Sequence, residues 1–182
     1  QLDFFQRNGY LAYGALLKPE EIELLRNEYD AEFRKASETG AARNLSDNKP
    51  DRKDAPTRML QIMQMCERNI QFRKLIYDSR ILDIVQCLIG PNIMLFQDQA
   101  LFKPAQTGGA VTWHQDNAYW KCQPANLVSC WMTLDDVVKE NGAMQVIPGS
   151  HLRPVHHDQN QTTDALLDIK GIDVNEAVAV DL

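Results

Sequence analysis

A chain of 182 residues, 44% of them hydrophobic, has the size and composition of one domain with a single core. Its formal net charge of -6 argues against a nucleic-acid backbone as partner, which requires a basic face. No apolar run approaches the length of a membrane span.

The start, Gln1-Leu2-Asp3, shows neither the basic residues nor the apolar stretch of a secretory signal, and the lack of an initial Met suggests that residues upstream were removed or are not shown. The four cysteines, Cys66, Cys87, Cys122 and Cys130, contain no C-x-x-C pair. A zinc site or redox dithiol is therefore not expected, and a reducing cytoplasm is the default compartment. Cys66 and Cys87, in apolar helical surroundings, are expected as core thiols.

Asp3 to Asn8 reads as a short helix ended by Gly9, and Tyr10-Leu11-Ala12-Tyr13 as a short strand. Lys18-Pro19-Glu20-Glu21 opens a second helix, with Pro in the first turn and acids at the positive end of the dipole. Ile22, Leu25, Tyr29 and Phe33 follow at helical spacing as one buried stripe. Ser37 to Thr57 has loop composition and is read as a solvated loop, with a lid over a site as the sharper reading. Arg58 to Ile62 leads out of it as an extended run. Two helices follow between Arg68 and Ile89, the first packing Ile70, Phe72, Leu75 and Ile76. They are separated by a break at Asp78-Ser79 and closed by Gly90-Pro91-Asn92.

After Pro91 the texture becomes β. Ile93 to Lys103, Ala110 to His114, Leu127 to Leu134 and Ala143 to Ile147 are strand candidates; Pro148-Gly149 stops the last of them. Glu140-Asn141-Gly142 has hairpin-turn chemistry. Lys103 is read as a solvated side chain. Helices first and short strands after suggest α+β, and residues 1–182 read as a single domain with no internal repeat.

The stretch that concentrates chemistry is Thr112-Trp113-His114-Gln115-Asp116-Asn117-Ala118-Tyr119-Trp120. On a strand, His114 and Asp116 would point to the same face. Two readings follow: a plain hydrogen-bonded pair, or two-thirds of the facial triad that holds non-haem Fe(II) with positions left open. Tyr119 and Trp120 directly follow and are candidates for a substrate wall, or simply rim or core aromatics.

This motif, its partner strand and the run Asn141-Gly142-Ala143-Met144-Gln145-Val146-Ile147-Pro148-Gly149-Ser150-His151 together resemble the phytanoyl-CoA dioxygenase family. The resemblance runs from the N-terminal helices to at least His151. It implies a double-stranded β-helix (a jelly-roll, cupin-like barrel) buttressed by the N-terminal helices. It also implies an enzyme that uses Fe(II), 2-oxoglutarate and O2 to hydroxylate a small organic molecule. By this resemblance His114 and Asp116 are the first two iron ligands. Relatives that halogenate carry a small residue in place of the acid, so Asp116 implies hydroxylation. Gln97 or Gln99, which alternation places on one face with Asp98 opposed, takes the place where relatives contact 2-oxoglutarate. Trp131 matches an aromatic lining the co-substrate pocket, with a core tryptophan as its plainer reading. Members act on acyl-CoA thioesters, amino acids and natural-product intermediates, so a small molecule is the expected substrate class.

The resemblance assigns His151 to the scaffold, not to the metal. It places the distal His ligand later, after a Gly-Asp turn, with an Arg beyond it that holds the far carboxylate of 2-oxoglutarate. The sequence stops at Ala177-Val178-Ala179-Val180-Asp181-Leu182, about where that turn is expected. The expectation is a C-terminally incomplete barrel. A non-catalytic jelly-roll that binds a small molecule without the full iron triad is the competing reading.

Overall fold

The computed structural model describes residues 1–45, 59–158, 168–169 and 173–182. Helix α1 (Leu2–Asn8) ends on Gly9, which takes a left-handed φ of 79° and returns its N–H to the Phe5 carbonyl at 2.7 Å. Only glycine fits there for a second reason: an added Cβ would lie 2.3 Å from the His151 ring. Tyr10 to Tyr13 forms no strand. Helix α2 (Pro19–Thr39) starts as its sequence predicts, with the Lys18 N–H donating to the Glu21 carboxylate at 2.7 Å. It extends three residues into the expected loop, to Thr39. Strand β1 (Arg43–Asn44) follows, and residues 46–58 of that segment lie outside the described residues.

Strand β2 (Leu60–Met63) pairs antiparallel with β1 on one side and with β3 (Gln99–Phe102) on the other. Between β2 and β3 lie α3 (Met65–Arg68), α4 (Ile70–Leu75) and α5 (Ser79–Ile89). The break at Asp78 is an N-cap: its carboxylate accepts from the Arg80 N–H at 2.9 Å. Arg80 also reaches Glu21 with both guanidinium nitrogens at 2.9 Å, tying the starts of α2 and α5 together.

The core is where α2 crosses this sheet. Phe33, Ala36, Ile62, Met65 and Ala100 are buried together, with Tyr29, Ala42, Leu60 and Phe72 packed around them. Ile62 sits opposite Ala100 in the ladder, a large side chain against a small one. Burying an Ile or Met side chain stabilises by roughly 2 kcal/mol. Cys66 is buried at the edge of this core, and burial pushes its thiol up to about 11. Cys87 is not a core thiol: it shares the exposed face of α5 with Asp83 and Gln86. Ile70, at the first position of α4, is also exposed.

Beyond β3 the expected strands at 110–114 and 127–134 have no ladder partner among the described residues, so neither counts as a strand. A short helix α6 (Asn117–Trp120) lies between them, and 3-10 turns at Lys139–Asn141 and Ser150–Leu152 follow. The Asn141-Gly142 segment is one such turn, not a hairpin. Two further antiparallel pairs form. Strand β4 (Gln145–Val146) joins β7 (Val178–Ala179), and β5 (His157–Asp158) joins β6 (Asp168–Ile169). The result is mixed helix and sheet with small sheets. Lys103 is half-buried, its stem so close to Gly108 that a Cβ there would meet Cγ at 2.4 Å. No helix among the described residues is long and apolar enough to cross a membrane.

Candidate metal centre

His114 and Asp116 converge, but not as neighbours along a strand. Asp116 has helical backbone angles, φ -52° and ψ -40°, and starts α6; its carbonyl accepts from the Tyr119 N–H at 3.0 Å. The turn, not a pleat, brings the two side chains together. Nε2 of His114 lies 3.4 Å from Oδ1 of Asp116, with the side chains 27% and 42% exposed.

The other ends of both groups are held. His114 Nδ1–H donates to the Thr112 carbonyl at 2.7 Å, which fixes the proton of the neutral ring on Nδ1. The Ser129 hydroxyl donates to Oδ2 of Asp116. The edge of Tyr119 meets the His114 ring at 85°, centroids 5.3 Å apart. In the neutral ring, Nε2 therefore turns a lone pair toward a carboxylate oxygen. Two acceptors facing each other need a cation between them, either a proton or a metal ion. The separation is wider than an ordinary N–H···O bond.

The electrostatics agree. Burial pulls the His114 ring down, but Asp116 and the Thr112 carbonyl outweigh it and the ring titrates above its ordinary value. The neighbouring His114 ring, helped by the Ser129 hydroxyl against burial, holds Asp116 below the usual carboxylate range. Among the described residues no third His, Cys, Asp or Glu joins the pair.

The intervening Gln115 is tied to the segment that follows Pro148-Gly149. Its Nε2 donates to the Ser150 and Arg153 carbonyls at 3.0 and 2.9 Å, and its Oε1 accepts from the Val155 N–H at 3.0 Å. Its backbone N–H donates to Nε2 of His157 at 2.8 Å. His151 donates from Nε2 to the Gln6 carbonyl at 3.1 Å, 145 residues away in the chain.

The remaining sequence candidates are placed less tightly. Gln97 is half-buried just before β3. Gln99 is exposed and accepts from Gln61 Nε2 at 2.5 Å. Asp98, between them, caps α3 by accepting from the Cys66 N–H at 2.8 Å. Trp131 is half-buried. No described hydrogen bond links Gln97, Gln99 or Trp131 to the His114–Asp116 pair. Of the two aromatics after the motif, Tyr119 borders His114, whereas Trp120 packs on Phe96 with centroids 5.5 Å apart. Ser129, Gln61, Gln115 and His157 carry no assignment from sequence. Each acts through a contact to a residue distant in the chain.

The family model for phytanoyl-CoA dioxygenase matches residues 5–180. Phytanoyl-CoA dioxygenase, peroxisomal, of Bos taurus is 28% identical over 169 residues, 88% of this chain and 50% of the relative. Ectoine dioxygenase of Halomonas elongata is 30% identical over 83% of this chain and 45% of its own length. A probable alpha-ketoglutarate-dependent hypophosphite dioxygenase of Stutzerimonas stutzeri is 34% identical over 49% of this chain and 31% of its own. The chain spans about half the length of the curated relatives it matches over most of its own length.

Proposed function

This chain belongs to the phytanoyl-CoA dioxygenase family, and from that membership and the His114–Asp116 pair we propose that it is part of an Fe(II)- and 2-oxoglutarate-dependent dioxygenase that hydroxylates a small organic substrate. The observation that carries this reading is the pair of facing lone pairs. Nε2 of His114 and Oδ1 of Asp116 converge, while Nδ1 and Oδ2 are occupied by Thr112 and Ser129. A neutral imidazole and a carboxylate are the donor set that Fe(II) takes in a facial site. The donor chemistry of the two residues fits the ion.

When bound there with 2-oxoglutarate and O2, the iron supplies insertion of one oxygen atom into a substrate C–H bond; the other oxygen leaves in succinate, with CO2 as the third product. The chain's own residues hold and orient. Thr112 fixes the His114 tautomer, and Ser129 leaves one oxygen of Asp116 free to ligate. Gln97 or Gln99 and Trp131 border the 2-oxoglutarate, and Tyr119 and Trp120 form the substrate wall. The double-stranded β-helix is the architecture proposed around them.

The test is anaerobic Fe(II) titration of the full-length protein followed by a screen for substrate-stimulated succinate release. Iron uptake with succinate release supports the proposal. No iron uptake favours a jelly-roll that binds a small molecule without catalysis.

A further inference from the structure

The residue between the two proposed ligands is held from both sides by one segment. His157 is only 7% exposed, and its ring has no spare nitrogen. A backbone N–H can only donate, so Nε2 must accept from Gln115, at 2.8 Å. Nδ1 then carries the proton and donates to the Val155 carbonyl, also at 2.8 Å. Val155 in turn donates its N–H to the Gln115 side chain at 3.0 Å. Gln115, Val155 and His157 thus close a ring of hydrogen bonds, and the Gln115 amide completes it by clamping the Ser150 and Arg153 carbonyls. The backbone of Gln115 is the only covalent link between His114 and Asp116. Whatever fixes its amide plane fixes how the two side chains converge.

We propose that His157 is a positioning residue for the His114–Asp116 pair, acting through the backbone N–H of Gln115, with the Gln115 side chain as the second tie. Its ring serves the site as a neutral acceptor, not as a ligand. The inference rests on the metal reading of the pair and adds a second histidine to the site in a supporting role. Groups that orient ligands from behind typically change metal affinity by about 10–100-fold when removed.

The experiment compares wild type, His157→Leu and His157→Gln in the full chain, titrated anaerobically with Fe(II) and, for its visible absorption, with Co(II). Thermal melts run alongside. His157→Leu removes the acceptor and is expected to raise the metal dissociation constant by about 10–100-fold. His157→Gln restores a carbonyl oxygen near the Nε2 position and is expected to recover most of that loss and the wild-type Co(II) spectrum. A lower melting temperature in His157→Leu with unchanged affinity and spectrum means a merely structural role and overturns the inference, leaving the metal reading intact. No binding by wild type overturns both. Should His157→Leu not fold, 15N-resolved NMR of the wild-type imidazole decides: the proton is expected on Nδ1, and a proton on Nε2 overturns the inference.

Discussion

Nε2 of His114 faces Oδ1 of Asp116 at 3.4 Å, while the far nitrogen of one and the far oxygen of the other are already hydrogen-bonded. Substituting either member should therefore remove cation binding without unfolding the chain. Asp116→Ala is expected to reduce 2-oxoglutarate turnover to background. The described hydrogen bond it breaks at the carboxylate comes from the exposed Ser129, so the stability lost should be about 1 kcal/mol. Succinate assays and urea melts check the two halves separately; wild-type turnover in this variant would refute the assignment.

Ser129→Ala leaves Oδ2 of Asp116 without its donor and frees the carboxylate to rotate. Metal affinity is expected to fall about tenfold, the lower end for a group that orients a ligand. Isothermal titration with Fe(II) under anaerobic conditions measures it.

Gln97 and Gln99 are separable by their surroundings. Gln99 already accepts from Gln61, whereas Gln97 has no described hydrogen bond. Gln97→Ala is expected to raise the KM for 2-oxoglutarate about tenfold, the worth of one hydrogen bond to a charged group, with kcat little changed. An unchanged KM would transfer the role to Gln99.

The Glu21–Arg80–Asp78 cluster sets an acid limit. Hydrogen bonds from Arg80, then from the Lys18 N–H, hold the Glu21 carboxyl down at about 2, and Arg80 holds Asp78 below its ordinary value. A carboxyl depressed in the folded state stabilises fully above its unfolded value, near 4.3. That contribution is lost as pH falls toward about 2. Glu21→Gln should flatten the fall in urea midpoint between those two values while leaving its slope at neutral pH unchanged.

Ile62 is fully buried at the centre of the helix-on-sheet core. Ile62→Ala should cost about 2–5 kcal/mol, the range for opening a cavity at such a position. Chemical denaturation at pH 7 gives the value directly; a loss under 1 kcal/mol would place the core elsewhere.

What could be read from sequence was local. The stripe of Ile22, Leu25, Tyr29 and Phe33, the Gly9 stop and the break at Asp78-Ser79 depend on residues within a few positions of one another; the stop and the break stand, and the stripe stands with Leu25 and Phe33 buried and Ile22 and Tyr29 half-buried. The strands at 110–114 and 127–134 depend on partners elsewhere, and composition alone does not supply a ladder. The site divides the same way. The spacing of His114 and Asp116 predicted convergence, but through a pleat; the fold reaches it through a turn that opens α6. Ser129 and His157 were invisible because they lie 13 and 42 residues from their partners. A serine or a histidine at such a distance has no periodicity to mark it.

His114 and Asp116 would together hold a divalent cation. A crystal of the full-length protein grown anaerobically with Fe(II), with data collected on both sides of the iron absorption edge, tests it directly. One anomalous peak is expected within bonding distance of Nε2 of His114 and Oδ1 of Asp116. A peak elsewhere, or the two atoms closed onto each other with no peak between them, would contradict it.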